Sequence, residues 1–86
     1  MLEVLNAKYI ENYKIWIEFN DGTSGIADLS DDIWGKIFEP LKDIIKFKKF
    51  VISDTMNTIS WENGADFAPE FLYNKVISNN KNKKVS

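Results

Sequence analysis

The sequence predicts an α+β domain: a mainly antiparallel sheet of about five strands with one or two short helices packed on it. Three observations carry this expectation. Apolar and polar residues alternate in four or five short runs, turn dipeptides stand between them at Asp21-Gly22 and Asn63-Gly64, and a helix-start signal precedes a final apolar period at Pro69.

Residues 3–10 and 13–20 form the first two predicted strands, joined through Glu11-Asn12. In the second, Ile15, Ile17 and Phe19 share one face while Trp16 and Glu18 share the other. Asp21-Gly22 suits a two-residue type I′ turn, and Thr23 to Asp28 continues as a third strand. Ser30 then stands as an N-cap. Asp31 and Asp32 follow in the first turn, where the helix dipole favours negative charge, and Ile33, Trp34, Ile37 and Phe38 recur on one face. Pro40 disfavours helix at Glu39, so this short helix is expected to stop near Phe38.

Leu41, Ile44, Ile45 and Phe47 are consistent with an irregular helical turn laid over the sheet. Phe50 to Asp54 and Thr58 to Trp61 read as a second hairpin. Asn63-Gly64 supplies the next sharp turn. Asp66 lies where its side chain can cap a helix running from about Pro69 to Ser78, with Phe71, Leu72, Val76 and the Lys75 stem on its apolar face. Residues 1–78 are thus expected to form one domain and 79–86 a polar, basic, disordered tail. Trp34, Trp61 and Phe71 are assigned to the core, and Trp61, Asn63, Gly64, Asp66 and Phe71 form the structural motif of the C-terminal half.

Eighty-six residues fit a single domain. A hydrophobic content of 44%, with three Trp, three Tyr and six Phe, argues against disorder. There is no cysteine, which removes disulfides, thiolate nucleophiles and zinc–thiolate sites and makes the cytoplasm the expected compartment. The N-terminus lacks the pattern of a signal peptide, and no apolar run approaches the ~18 residues of a membrane span.

The missing histidine and cysteine exclude Ser/His/Asp and Cys/His catalysis. Asp28, Asp54, Glu62, Asp66 and Glu70 are nominal candidates for a carboxylate pair, but no spacing selects two of them. Asp28, Asp31 and Asp32 lack the alternation of a calcium loop, and no phosphate-binding glycine motif occurs. No catalytic residue, cofactor or metal is therefore expected.

Two features remain for binding. Trp16, with Glu18 beside it, lies opposite the apolar face of its strand, so either helices cover it or it belongs to a contact surface. Lys42, Lys46, Lys48 and Lys49 form a basic cluster, followed by Lys81, Lys83 and Lys84, on a chain of net charge −2. The cluster is either a solvated face or an anion or nucleic-acid contact.

The early hairpin with F-N-D-G, the Asp28-Leu29 pair, I-F-E-P-L-K-D at 37–43, F-K-K-F and the ending I-S-W-E-N-G-A-D-F-A-P-E-F-L-Y together resemble the bacterial domain-of-unknown-function family 2442 over Val4 to Tyr73. The W-x-N-G-x-D ending is the specific part. The resemblance implies a small α+β fold and carries over no active site. It also implies gene neighbourhoods like those of toxin–antitoxin pairs, hence a small protein partner, and in longer members a helix-turn-helix segment that this chain is too short to include. The expected function is a non-enzymatic interaction domain, the partner-neutralising member of such a pair. The alternative is a nucleic-acid-associated regulator using Lys42 to Lys49 and the tail.

Overall fold

The computed structural model describes residues 1–84. Five strands form two antiparallel sheets rather than one. Strands β1 (Val4–Glu11), β2 (Lys14–Phe19) and β3 (Ser24–Asp28) make a meander in the order β1-β2-β3. Strands β4 (Val51–Ser53) and β5 (Thr58–Ser60) make a separate hairpin. The two sheets meet where the Val4 N–H donates to the Asn57 carbonyl at 3.0 Å. A 3₁₀ turn (Glu39–Lys42), helix α1 (Ile44–Phe47) and helix α2 (Pro69–Lys84) complete the fold. The strand boundaries agree with the sequence to within two residues because alternation pins a strand whose one face is buried. Ile15, Ile17 and Phe19 are fully buried, together with Leu29, Phe47, Ile59, Leu72 and Val76.

Both sharp turns share one construction. At Phe19 to Thr23 the Gly22 N–H donates to the Phe19 carbonyl and the Phe19 N–H to the Thr23 carbonyl. At Trp61 to Ala65 the same two bonds join Gly64 to Trp61 and Trp61 to Ala65. In each, a carboxamide or carboxylate oxygen, from Asp21 or Asn63, accepts from the N–H two residues on. Only the glycines have positive φ, +90° and +92°. The Asp21-Gly22 link is therefore a three-residue loop closed by a left-handed glycine rather than a type I′ turn, because the side-chain bond holds Asp21 at negative φ. The Tyr73 hydroxyl donates to Asp21 at 2.7 Å, and that bond, ahead of the Thr23 N–H, holds this exposed carboxyl below its ordinary value.

Three other expectations are corrected. Ser30 to Phe38 is a chain of turns, not a capped helix: Asp28 rather than Ser30 supplies the oxygen, accepting from the Ser30 N–H at 3.0 Å, and Gly35 takes φ +90°. Pro40 sits inside the 3₁₀ turn instead of ending a helix before it, since a proline at the second position gives up an N–H that needs no partner there. Asp66 is no helix cap; it pairs with Ser60 as an antiparallel bridge that extends the second hairpin.

Helix α2 continues to Lys84, past the end expected at Ser78, and Val85 and Ser86 lie outside the described residues. The extension has a packing cause. Gly25 on β3 lets α2 lie close: a Cβ built there would stand 2.7 Å from Asn80 Oδ1 and 2.9 Å from Val76 Cγ1, and Asn80 Nδ2 donates to the Ser24 carbonyl at 3.2 Å. Gly25→Ala is expected to cost about 1–3 kcal/mol by overpacking, read as a lowered urea midpoint. A neutral result would mean that α2 does not dock at this turn.

Candidate interaction surface

Trp16, the first residue singled out by sequence, lies on the outer face of the meander. It is half-buried between its cross-strand neighbours Lys8 and Ile26, with Lys8 Nζ 5.8 Å from the ring centroid. Glu18, one step along that face, accepts a hydrogen bond from Asn6 Nδ2 at 2.9 Å. Helix α2 packs on β3, and the deep burial of Ile15, Ile17 and Phe19 marks theirs as the covered face. Trp16 thus lies on the face that α2 does not cover, packed on its cross-strand neighbours. Trp16→Ala is expected to lower stability by about 1 kcal/mol through lost cross-strand packing, measured by thermal denaturation; an unchanged midpoint would mean that this packing carries no weight.

The structure disperses the basic cluster. Lys42 is paired with Glu39 at 3.2 Å on the 3₁₀ turn, and Lys48 lies over the Tyr9 ring at 5.4 Å. Lys46 and Lys49 alone share a side, where they border a groove with Val51 and Trp61. The four lysines therefore do not line one continuous track. Among the described residues, no group of three or more acidic side chains comes together in a way that would hold a metal ion.

The five residues of the expected structural motif are placed differently. Trp61 is 4% exposed, its indole N–H donates to the Phe47 carbonyl at 2.9 Å, and its ring meets Phe47, Phe50 and Phe67. Asn63 ties the second hairpin to the preceding turns, Nδ2 donating to the Ile37 carbonyl at 2.8 Å. Asp66 has the bridging role already described. Phe71 is 38% exposed and stacks on Phe67, with centroids 5.4 Å apart and planes 11° from parallel.

The correction at Phe71 belongs with a second. Trp34, assigned by its spacing to the core, is 71% exposed. Together with Ile37, Phe38, Phe67 and Phe71 it lines an open apolar cleft of about 320 Å³. Phe38, Phe67 and Phe71 stack in series, the first pair 4.8 Å apart. The turns that present Trp34 are anchored on all sides. Leu29 and Ile33 are buried in the core. The Leu29 N–H donates to Tyr13, the Asp32 N–H to Leu29, and Asn63 holds Ile37. The buried Asp32 Oδ2 takes Lys75 of α2 as its ion-pair partner at 2.8 Å. An apolar surface held by this many fixed points is preformed, and that lowers the entropy lost when something binds to it.

The family model described as protein of unknown function (DUF2442) matches residues 4–78, from the first residue of β1 well into α2. The chain belongs to the DUF2442 family. The match takes in Trp34, Trp61, Phe67 and Phe71, so the cleft of this DUF2442 domain lies wholly inside the family region. No curated protein and no solved structure matches the chain. Among the described residues, no helix of the DUF2442 domain is long and apolar enough to cross a membrane.

Sequence reasoning missed the cleft because Ile33, Trp34, Ile37 and Phe38 repeat at helical spacing. One signal pointed the other way. Leu72 and Val76 lie one helical turn apart and are both buried, whereas Phe71 and Lys75 lie the same distance apart on the neighbouring stripe, the side that faces Asp32 and Trp34.

Proposed function

We propose that this DUF2442 domain is a non-enzymatic, cytoplasmic protein-interaction module that binds a small protein partner through the cleft around Trp34. The observation that carries the proposal is a tryptophan 71% exposed on a loop that hydrogen bonds and an ion pair hold in place. Exposed aromatic clusters with fixed backbones are the chemistry of interface hot spots: they exclude water over a large area while losing little freedom on binding. Such a partner fits the toxin–antitoxin-like pairing that the family resemblance implies, with this domain as the neutralising member.

The acids near the cleft give little support to catalysis, since Asp32 is committed to Lys75. The dispersal of Lys42 and Lys48 likewise gives a nucleic-acid role little support. The test is affinity capture of tagged protein from its host, with and without nuclease, followed by mass spectrometry. A stoichiometric small protein that survives nuclease is the expected result. Retention that vanishes with nuclease would replace this reading by a nucleic-acid one.

A further inference from the structure

A second concavity, lined from the 3₁₀ turn, the turn after α1 and the second hairpin, has a different chemistry. It encloses about 630 Å³, within the range of ligand-binding clefts. Its apolar lining comes from Pro40, Leu41, Val51 and the edge of Trp61, and Val51 is 60% exposed for want of a covering group.

Local structure puts two cations on the rim. Asp43 caps α1 by accepting from the Ile45 N–H at 3.0 Å, and the turn continues with the Lys49 N–H donating to the Lys46 carbonyl at 3.1 Å. Residues three apart on such a turn are neighbours, so Lys46 and Lys49 stand side by side, while Lys48 is rotated away onto Tyr9. Among the described residues, neither Lys46 nor Lys49 has an ion-pair partner, in contrast to Lys14, Lys42 and Lys75. Among the described residues, Glu62 is the only acid lining the groove, which leaves a positive excess beside the apolar lining.

We infer that this groove binds an extended segment of a protein partner in which an apolar side chain is flanked by carboxylates. The inference rests on the reading of the domain as a protein-interaction module and names the chemistry of a second contact. The apolar side chain covers Pro40 and Val51, and the flanking carboxylates meet Lys46 and Lys49. An extended backbone is favoured because β4, which opens with Val51, pairs only with β5 among the described residues and leaves its other edge without a strand partner. A nucleic-acid strand matches the site less well. Its phosphates could meet the lysines, but it carries no aliphatic side chain to cover Pro40 and Val51.

The test is a nitrogen-15 NMR titration of the full chain with the acetylated, amidated peptide Asp-Leu-Glu-Phe-Asp. The controls are Lys-Leu-Lys-Phe-Lys and oligothymidylate. The expected result is saturable shifts at the amides of residues 46–51 and 60–63 with the acidic peptide, weakened about tenfold or more in the double variant Lys46→Glu, Lys49→Glu and unchanged in Trp34→Ala. The inference is overturned by silence with the acidic peptide, by equal shifts with the basic one, or by tighter binding of oligothymidylate that the double variant abolishes. A silent titration beside a captured partner that Trp34→Ala releases would remove the groove while leaving the proposed function in place.

Discussion

Trp61→Ala is expected to destabilise the domain by about 3–5 kcal/mol, the range for truncating a buried large aromatic. A chain of this size has roughly 4–13 kcal/mol of total stability, so the variant should be largely unfolded at moderate urea or lose tens of degrees in Tm. The size of the effect follows from two losses at once. The indole fills the space among Phe47, Phe50 and Phe67, whereas the backbone bonds of residue 61 to Ala65 and Gly64 survive the substitution. Its N–H is also the side-chain donor to the buried Phe47 carbonyl. Trp61→Phe separates the terms: the ring largely remains, the donor is lost, and the expected cost falls to about 1–3 kcal/mol, the penalty of a buried polar group without its partner. A cost below ~1 kcal/mol for Trp61→Ala would mean that the ring does not fill the space among Phe47, Phe50 and Phe67.

Trp34→Ala is expected to do the reverse. With the side chain mostly in solvent, stability should change by no more than about 0.5 kcal/mol. Partner affinity should fall by at least ~2 kcal/mol, which is about 30-fold or more. The loop's shape does not depend on the indole. Leu29, Ile33, the Asp32–Lys75 pair and the Asn63 bond to Ile37 all remain in the variant, so the backbone that presents residue 34 is preserved. Phe71→Ala is less clean because Phe71 also stacks on Phe67 and is more than half covered.

The meander, the second hairpin and the start of α2 were legible in the sequence for one reason. Each has a period of two or a turn residue whose backbone geometry is dictated locally: Gly22 and Gly64 at positive φ, Ile15, Ile17 and Phe19 on one face, Pro69 at the first helical position. The segment from Ser30 to Phe38 misled because helical spacing of apolar residues is necessary for an amphipathic helix and not sufficient. Here Gly35 adopts a left-handed turn, Asp28 takes the Ser30 N–H, and the apolar residues divide, Ile33 going inward and Trp34 outward.

The end of α2 depends on Gly25, more than fifty residues earlier in the chain, since the space that a missing Cβ leaves is what Val76 and Asn80 occupy. No local pattern encodes such a contact. The candidate site was hidden by the same logic. Trp34 is more than thirty residues from Phe67 and Phe71 in sequence, and the loop that carries it is tied to α2 by an ion pair between Asp32 and Lys75 that neither residue's neighbours announce.

The central claim is that the anchored turn bearing Trp34 is a binding face and not an imperfect piece of core. The measurement that tests it most directly is a parallel comparison of wild type and Trp34→Ala: urea unfolding of each, and retention by each of the nuclease-resistant partner captured from the host. The account predicts coincident unfolding curves and loss of the partner from the variant. An unfolding curve displaced by several kcal/mol, or a partner retained in full, would contradict it.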